Sequence, residues 1–183
     1  MIEVGLKLCK EVQGSKCVYI QSDEISILIT DFDTLETDAW FDYNIQKIAS
    51  ISASVASVEF SLRMSLNCDN RDGCIEAYFD SRVFNIPKEE VCNYFIWRQQ
   101  DWIKNSIQML TRKFYSHKEV ENKKQPDMHE MLHEKGVNWA LIPDWCKNGV
   151  FIAKLDSGIE KFENCPDFKK DRKVIERYLA PMV

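Results

Sequence analysis

The chain has 183 residues, 45% hydrophobic and 29% charged, which is enough for one domain with a buried core and too few for two full ones. A net charge of −5 excludes a chain that holds nucleic acid by bulk positive charge, and restricts any RNA contact to a local basic patch. Its seven cysteines never take C-x-x-C spacing and are odd in number, which argues against a zinc module or disulfide framework; no apolar run approaches the roughly 18 to 20 residues that cross a bilayer, so a cytoplasmic protein with reduced thiols is expected.

Ile2, Leu6, Cys9 and Val12 recur at helical spacing and stop at Gly14, a residue suited to the left-handed turn that ends a helix. Val18 to Ile20 and Ile25 to Ile29 read as two strands, joined through the polar stretch Gln21-Ser22-Asp23-Glu24 into a hairpin with acid at its tip. After an acidic linker from Asp31 to Asp38, the stretch from Asn44 to about Met64 lacks Gly and Pro. It sets Ile45, Ile48, Ser52, Val55 and Glu59 along one stripe, which predicts a long, partly buried helix.

Asn67 to Gly73 is turn chemistry, and Glu76 to Ile86 reads as a strand halted by Pro87, with Asp80 and Arg82 on one face. A second long helix is predicted from Lys88 to Lys113. Ser116-His117-Lys118-Glu119 is spaced like a capping box opening a short third one, and Pro126 and Gly136 bracket another. The remainder is broken by Pro143, Gly149, Gly158 and Pro166 and reads as a small appendage ending in a helix around Lys170 to Leu179.

The order helix, strand, strand, helix, strand is that of an α+β split unit, β-α-β-β-α-β, without its first strand. In that topology the first strand is central, so its absence leaves the last strand without a partner, and further residues upstream of Met1 are expected.

A carboxylate pair on a hairpin beside a sheet, here Asp23 and Glu24, suits magnesium, a hard cation that shares its coordination sphere with phosphates and water. On spacing alone a solvated acidic turn is the commoner explanation, since acidic turns are frequent and metal sites rare. His129-Glu130-Met131-Leu132-His133 satisfies H-E-x-x-H, which on a helix places two imidazoles on one zinc and would make the chain a metalloprotease. Against that stand Glu134, where such helices are apolar, and the lack of an evident third ligand; two solvated helical histidines are the alternative.

Gln21-Ser22-Asp23-Glu24-Ile25-Ser26 resembles the Q-S-D-E-[FI]-S signature of the tRNA-His guanylyltransferase family, and three further segments follow in order. Gln46-Lys47-Ile48 with Ser50 and Ala53-Ser54 is similar to that family's long helix. Phe79-Asp80-Ser81-Arg82-Val83 is similar to its F-D-x-R-V strand, and Asn93 to Asp101 with Asn105-Ser106 to its N-Y-[FL]-x-W-R-Q-x-D segment. Ser116 to Glu119, Met131-Leu132 and Lys135 to Trp139 resemble its bacterial and phage-like branch, so the likeness covers roughly residues 1 to 150.

The resemblance implies a ferredoxin-like polymerase palm over 1–113 with a helical and irregular extension over 114–183. It also implies two magnesium ions, ATP or GTP as substrate, and tRNA as partner in a tetrameric assembly. An RNA 5′ end would be activated and then attacked by the 3′ hydroxyl of an incoming nucleotide, so that growth runs 3′ to 5′. By that match Asp23 and Glu24 are the catalytic, metal-binding carboxylates and Ser22 contacts triphosphate. Lys47, Arg82 and Lys118 meet phosphates, Asn105 faces the nucleotide, and Arg98 faces RNA unless it pairs with Asp101 one turn along its helix.

Two departures qualify the match. The family's other metal carboxylate lies in a D-G-R segment on the first strand, ahead of the helix that opens this chain, which leaves a catalytically silent nucleotide- or RNA-binding relative as the alternative. Ile103 stands where the eukaryotic-type members carry a histidine tied to guanylylation of tRNA-His, which favours the branch resembling 5′-end repair.

Overall fold

A computed structural model describes residues 1–34, 36–67, 75–155 and 157–180. Helix α1 (Ile2–Glu11) forms where predicted, with Cys9 and Val12 of the expected stripe buried and Ile2 and Leu6 half-buried; Val4 and Leu8, outside that stripe, are buried too and pack with Val12 on Ala56 of α2 (Ile45–Asn67), while Cys9 packs on Val18 and Ile20. The chain then reverses at Gly14, whose φ of 73° lies in the left-handed region. A Cβ there would stand 2.4 Å from the Thr30 carbonyl oxygen.

Strands β1 (Ser15–Gln21) and β2 (Glu24–Ile29) make the predicted hairpin, with Gln21 opposite Glu24 across a two-residue turn. Two further strands, β3 (Val150–Leu155) and β4 (Gly158–Lys161), complete an antiparallel sheet in the order β2-β1-β3-β4. The stretch expected to be a small appendage ending in a helix therefore contributes a central strand. Its glycines punctuate a hairpin, and Val150-Phe151-Ile152-Ala153 is buried on both faces, as strands covered by helices are.

Helix α3 (Val91–Arg112) crosses the face opposite α1, where Phe95, Tyr19, Phe151 and Phe168 meet edge to face at centroid distances of 5.3 to 5.9 Å. Each such pair adds about 0.5–1.5 kcal/mol beyond its area burial. Gln99 fastens the C-terminal segment to α3: its amide donates to Pro166 O at 2.8 Å and its carbonyl accepts from Phe168 N at 3.0 Å. Helices α4 (His117–Val120), α5 (Gln125–Glu134) and α6 (Asp144–Asn148) lead back to β3, and α7 (Lys173–Glu176) seats Ile175 in the same core. The capping box predicted at Ser116 and Glu119 is formed.

The predicted strand at Glu76 to Ile86 is extended, and its odd residues from Ala77 to Val83 are half-buried while Glu76, Tyr78, Asp80, Arg82 and Phe84 are exposed, yet it joins no sheet. It runs along α2 instead. The N–H groups of Ile75, Ala77 and Phe79 donate to the hydroxyls of Ser65, Ser61 and Ser57 at 3.2, 3.0 and 2.9 Å. Four residues of helix advance about 6 Å and two of extended chain about 6.6 Å, so serines spaced i, i+4 keep step with alternate amides. No strand lies between β2 and this segment among the described residues, where the split-unit topology expects one. The turn expected from Asn67 to Gly73 falls, beyond Asn67 itself, outside the described residues, as do Cys68 and Cys74.

Four of the five described cysteines are buried, all five are free, and no helix among the described residues is long and apolar enough to span a membrane. Burial pushes the Cys17 and Cys165 thiols far up, so these two are inert packing residues.

Candidate active site

The β1–β2 turn is the focus of the candidate residues. β1 is buried almost throughout, so its end is rigidly placed, and Ser22 follows it in the left-handed region at a φ of 51°. A non-glycine residue there costs on the order of 1–3 kcal/mol and persists where the surroundings hold it. Ser22, Asp23 and Glu24 are exposed, and Asp23 makes no hydrogen bond or ion pair among the described residues.

Glu24 is held from two sides. The Gln21 amide donates to Glu24 Oε2 at 2.6 Å, and the Arg98 guanidinium, reaching down from α3, pairs with the same oxygen. Arg98 lies over the Trp97 ring at 4.8 Å and its side chain is 14% exposed, against 59% for Glu24. One turn earlier on α3, the Tyr94 and Ser26 hydroxyls share a hydrogen bond of 2.9 Å, tying the helix to β2. Gln21 is 4% exposed, and its Oε1 has no partner among the described residues.

The remaining candidates lie on separate elements. Lys47 is exposed in the first turn of α2 with its Nζ 5.6 Å from the Phe41 ring centre. Arg82 pairs with Asp80 at 3.4 Å, both more than four-fifths exposed on the face predicted for them. Asn105 donates to Asp101 at 3.3 Å, so Asp101 is engaged by Asn105 and Arg98 turns to Glu24. Lys118 is exposed in α4. No hydrogen bond or ion pair among the described residues joins Lys47, Arg82, Asn105 or Lys118 to the turn. Gln21, which carries no role in the sequence reading, stands inside the Q-S-D-E run, so its signal was present there.

A largely apolar cavity of about 990 Å³ opens beside Ser22, with Ile20, Phe60, Trp102, Arg63 and Lys113 in its wall. The Trp102 indole nitrogen lacks a partner among the described residues.

Magnesium binds through one or two carboxylates, with water and phosphate completing its shell. Asp23 with Glu24 fits such a partial donor set. Among the described residues no group of three or more His, Cys, Asp or Glu is placed to hold a metal. The same holds for the H-E-x-x-H pair: His129 packs its ring against Trp139 at 5.7 Å, and no third ligand joins it.

The family model for tRNA-His guanylyltransferase matches residues 1–87. A bacterial tRNA-His guanylyltransferase-like protein in complex with ATP superposes with a TM-score of 0.90 at 42% identity, covering 97% of this chain and 76% of that one. Such a protein in complex with GTP gives 0.81 at 38% identity, covering 97% and 75%. The tRNA-His guanylyltransferase of Saccharomyces cerevisiae shares the fold, with a TM-score of 0.68 at 18% identity and coverage of 93% and 78%. No curated protein matches the chain. With an acidic β-hairpin turn fixed by α3, and that turn's sequence carried on a fold shared along nearly the whole chain, the protein belongs to the tRNA-His guanylyltransferase family.

Proposed function

We propose that this protein is a magnesium-dependent nucleotidyltransferase that adds nucleotides from GTP or ATP to the 5′ end of tRNA, growing the strand 3′ to 5′. The observation that carries the reading is the acidic turn: two adjacent exposed carboxylates on a rigid hairpin, one fixed by Arg98 and Gln21 and the other unpaired among the described residues. The relatives in complex with ATP and GTP support the substrate class.

In this reading Asp23 and Glu24 hold divalent cation and Ser22 meets the triphosphate. Lys47, Arg82 and Lys118 offer positive charge to phosphates, and Asn105 offers an amide to the nucleotide. Magnesium held at the turn supplies Lewis-acid stabilisation of charge on the phosphates and on the attacking hydroxyl oxygen. The cavity beside Ser22 has the size of ordinary small-molecule sites, which run to roughly 1,000 Å³, and its apolar wall suits a nucleobase. Arg98, matched by resemblance to an RNA-facing position, pairs with Glu24 at the turn. Ile103 favours repair of truncated 5′ ends over guanylylation confined to tRNA-His.

The test is incubation with 5′-truncated tRNA, labelled GTP and ATP, and magnesium. Incorporation by the wild type and its loss in Asp23→Ala are expected; equal incorporation by the variant refutes the assignment. A second reading, nucleotide or RNA binding without transfer, is favoured because, among the described residues, no third carboxylate joins Asp23 and Glu24 in a metal-holding group. It predicts retained ATP or GTP binding with no incorporation by the wild type.

A further inference from the structure

We infer that Arg98 is a positioning residue for the Glu24 carboxylate: with Gln21 it takes Oε2 and leaves Oε1 as the oxygen presented to a divalent cation beside Asp23. This rests on the reading of the acidic turn as a cation site, and names how the fold prepares one of its ligands.

Both donors converge on one atom. The Gln21 amide and the Arg98 guanidinium meet Glu24 at Oε2, while Oε1 accepts no hydrogen bond among the described residues. A glutamate left free on a hairpin turn samples several rotamers, and a cation would have to order it on binding. Here that ordering is done in advance by groups on two separate elements, the end of β1 and the middle of α3.

Arg98 is itself held. Its guanidinium lies over Trp97 at 4.8 Å, and Tyr94, one turn earlier, anchors α3 to β2 through Ser26. A flat guanidinium stacked on an indole is oriented in a way that a lysine ammonium is not. Gln21 reinforces the point. Its Oε1 lies buried without a partner among the described residues, an arrangement that costs stability, while its amide is turned to Glu24. Turning the amide over would set Oε1 against the carboxylate, so Glu24 is what fixes the orientation. Partners that orient metal-ligating carboxylates typically change metal affinity by about 10- to 100-fold when removed.

The experiment measures Mn2+ binding alone, by electron paramagnetic resonance, for the wild type, Asp23→Ala, Glu24→Gln, Arg98→Gln, Arg98→Lys and the Arg98→Gln/Glu24→Gln pair. Circular dichroism verifies the fold of each. Arg98→Gln is expected to weaken Mn2+ binding by about tenfold, Arg98→Lys to recover part of it, and the pair to bind no more weakly than Glu24→Gln alone. Wild-type affinity in Arg98→Gln overturns the inference, and so does a loss that adds to that of Glu24→Gln. If Asp23→Ala also binds Mn2+ like the wild type, the cation-site reading itself falls; if Asp23→Ala loses binding while Arg98→Gln keeps it, only the positioning role falls.

Discussion

The N–H of Phe79 donates to the hydroxyl of Ser57 at 2.9 Å, and that hydroxyl in turn donates a hydrogen bond to the carbonyl oxygen of Ala53 at 2.8 Å. One small side chain thus satisfies an amide of the extended segment without breaking its own helix. The Ser61 hydroxyl likewise accepts from Ala77 N at 3.0 Å. Arg82 lies three residues beyond Phe79, so the register of this ladder sets where its guanidinium emerges.

Ser57→Ala and Ser61→Ala each remove the acceptor of an amide. Each is expected to cost about 0.5–1.5 kcal/mol of stability, and the amides of Phe79 and Ala77 respectively should exchange hydrogen faster. Unchanged exchange at those two positions in the paired variant would show that other groups protect them.

Asp23→Ala should lower nucleotide incorporation on the order of a hundredfold or more, as losing a group that stabilises developing charge does. Chelation of divalent cation should stop the wild type in the same assay, and added magnesium should restore it. Restored activity without any divalent cation contradicts the metal dependence.

Gly14→Ala places a methyl group 2.4 Å from the Thr30 carbonyl oxygen at a φ of 73°. Left-handed backbone alone costs a non-glycine residue about 1–2 kcal/mol, and the clash with backbone adds to it. A denaturation midpoint equal to the wild type's would mean that the α1–β1 reversal is looser than the contact implies.

Hydrogen bonds from the Ser116 hydroxyl and N–H hold the Glu119 carboxyl below its ordinary value of 4.5. The folded value is the lower one, so the stabilisation is complete above the ordinary glutamate range and is lost as pH falls through the folded value. A carboxyl carbon-13 titration should place the Glu119 midpoint below 4.5, and Ser116→Ala should move it upward. A midpoint at the ordinary value in the wild type would remove the capping box from solution.

The elements legible in advance were those coded by short-range spacing. Cys9 and Val12 are buried as the spacing of α1 predicts, the acid falls on the β1–β2 turn, and Ser116 with Glu119 forms its box. The alternation at Glu76 to Ile86 was also legible, and Asp80 and Arg82 do share a face. Alternation reports extended backbone and says nothing of what receives its amides. The serines of α2 were visible as residues, but their role required knowing that helix and segment run side by side.

From sequence alone came helices α1 to α5, the hairpin, the ordered motifs and so the family, because backbone sterics and periodic burial act over a few residues at a time; the helix expected around Lys170 to Leu179 is confined to Lys173–Glu176. Tertiary structure decided that β3 closes onto β1, that the extended segment leans on a helix, and that Arg98 answers Glu24 while Asn105 takes Asp101. Those outcomes depend on which surfaces pack together. A charge selects its partner from whatever the packed chain brings within reach, and distance along the sequence does not measure that.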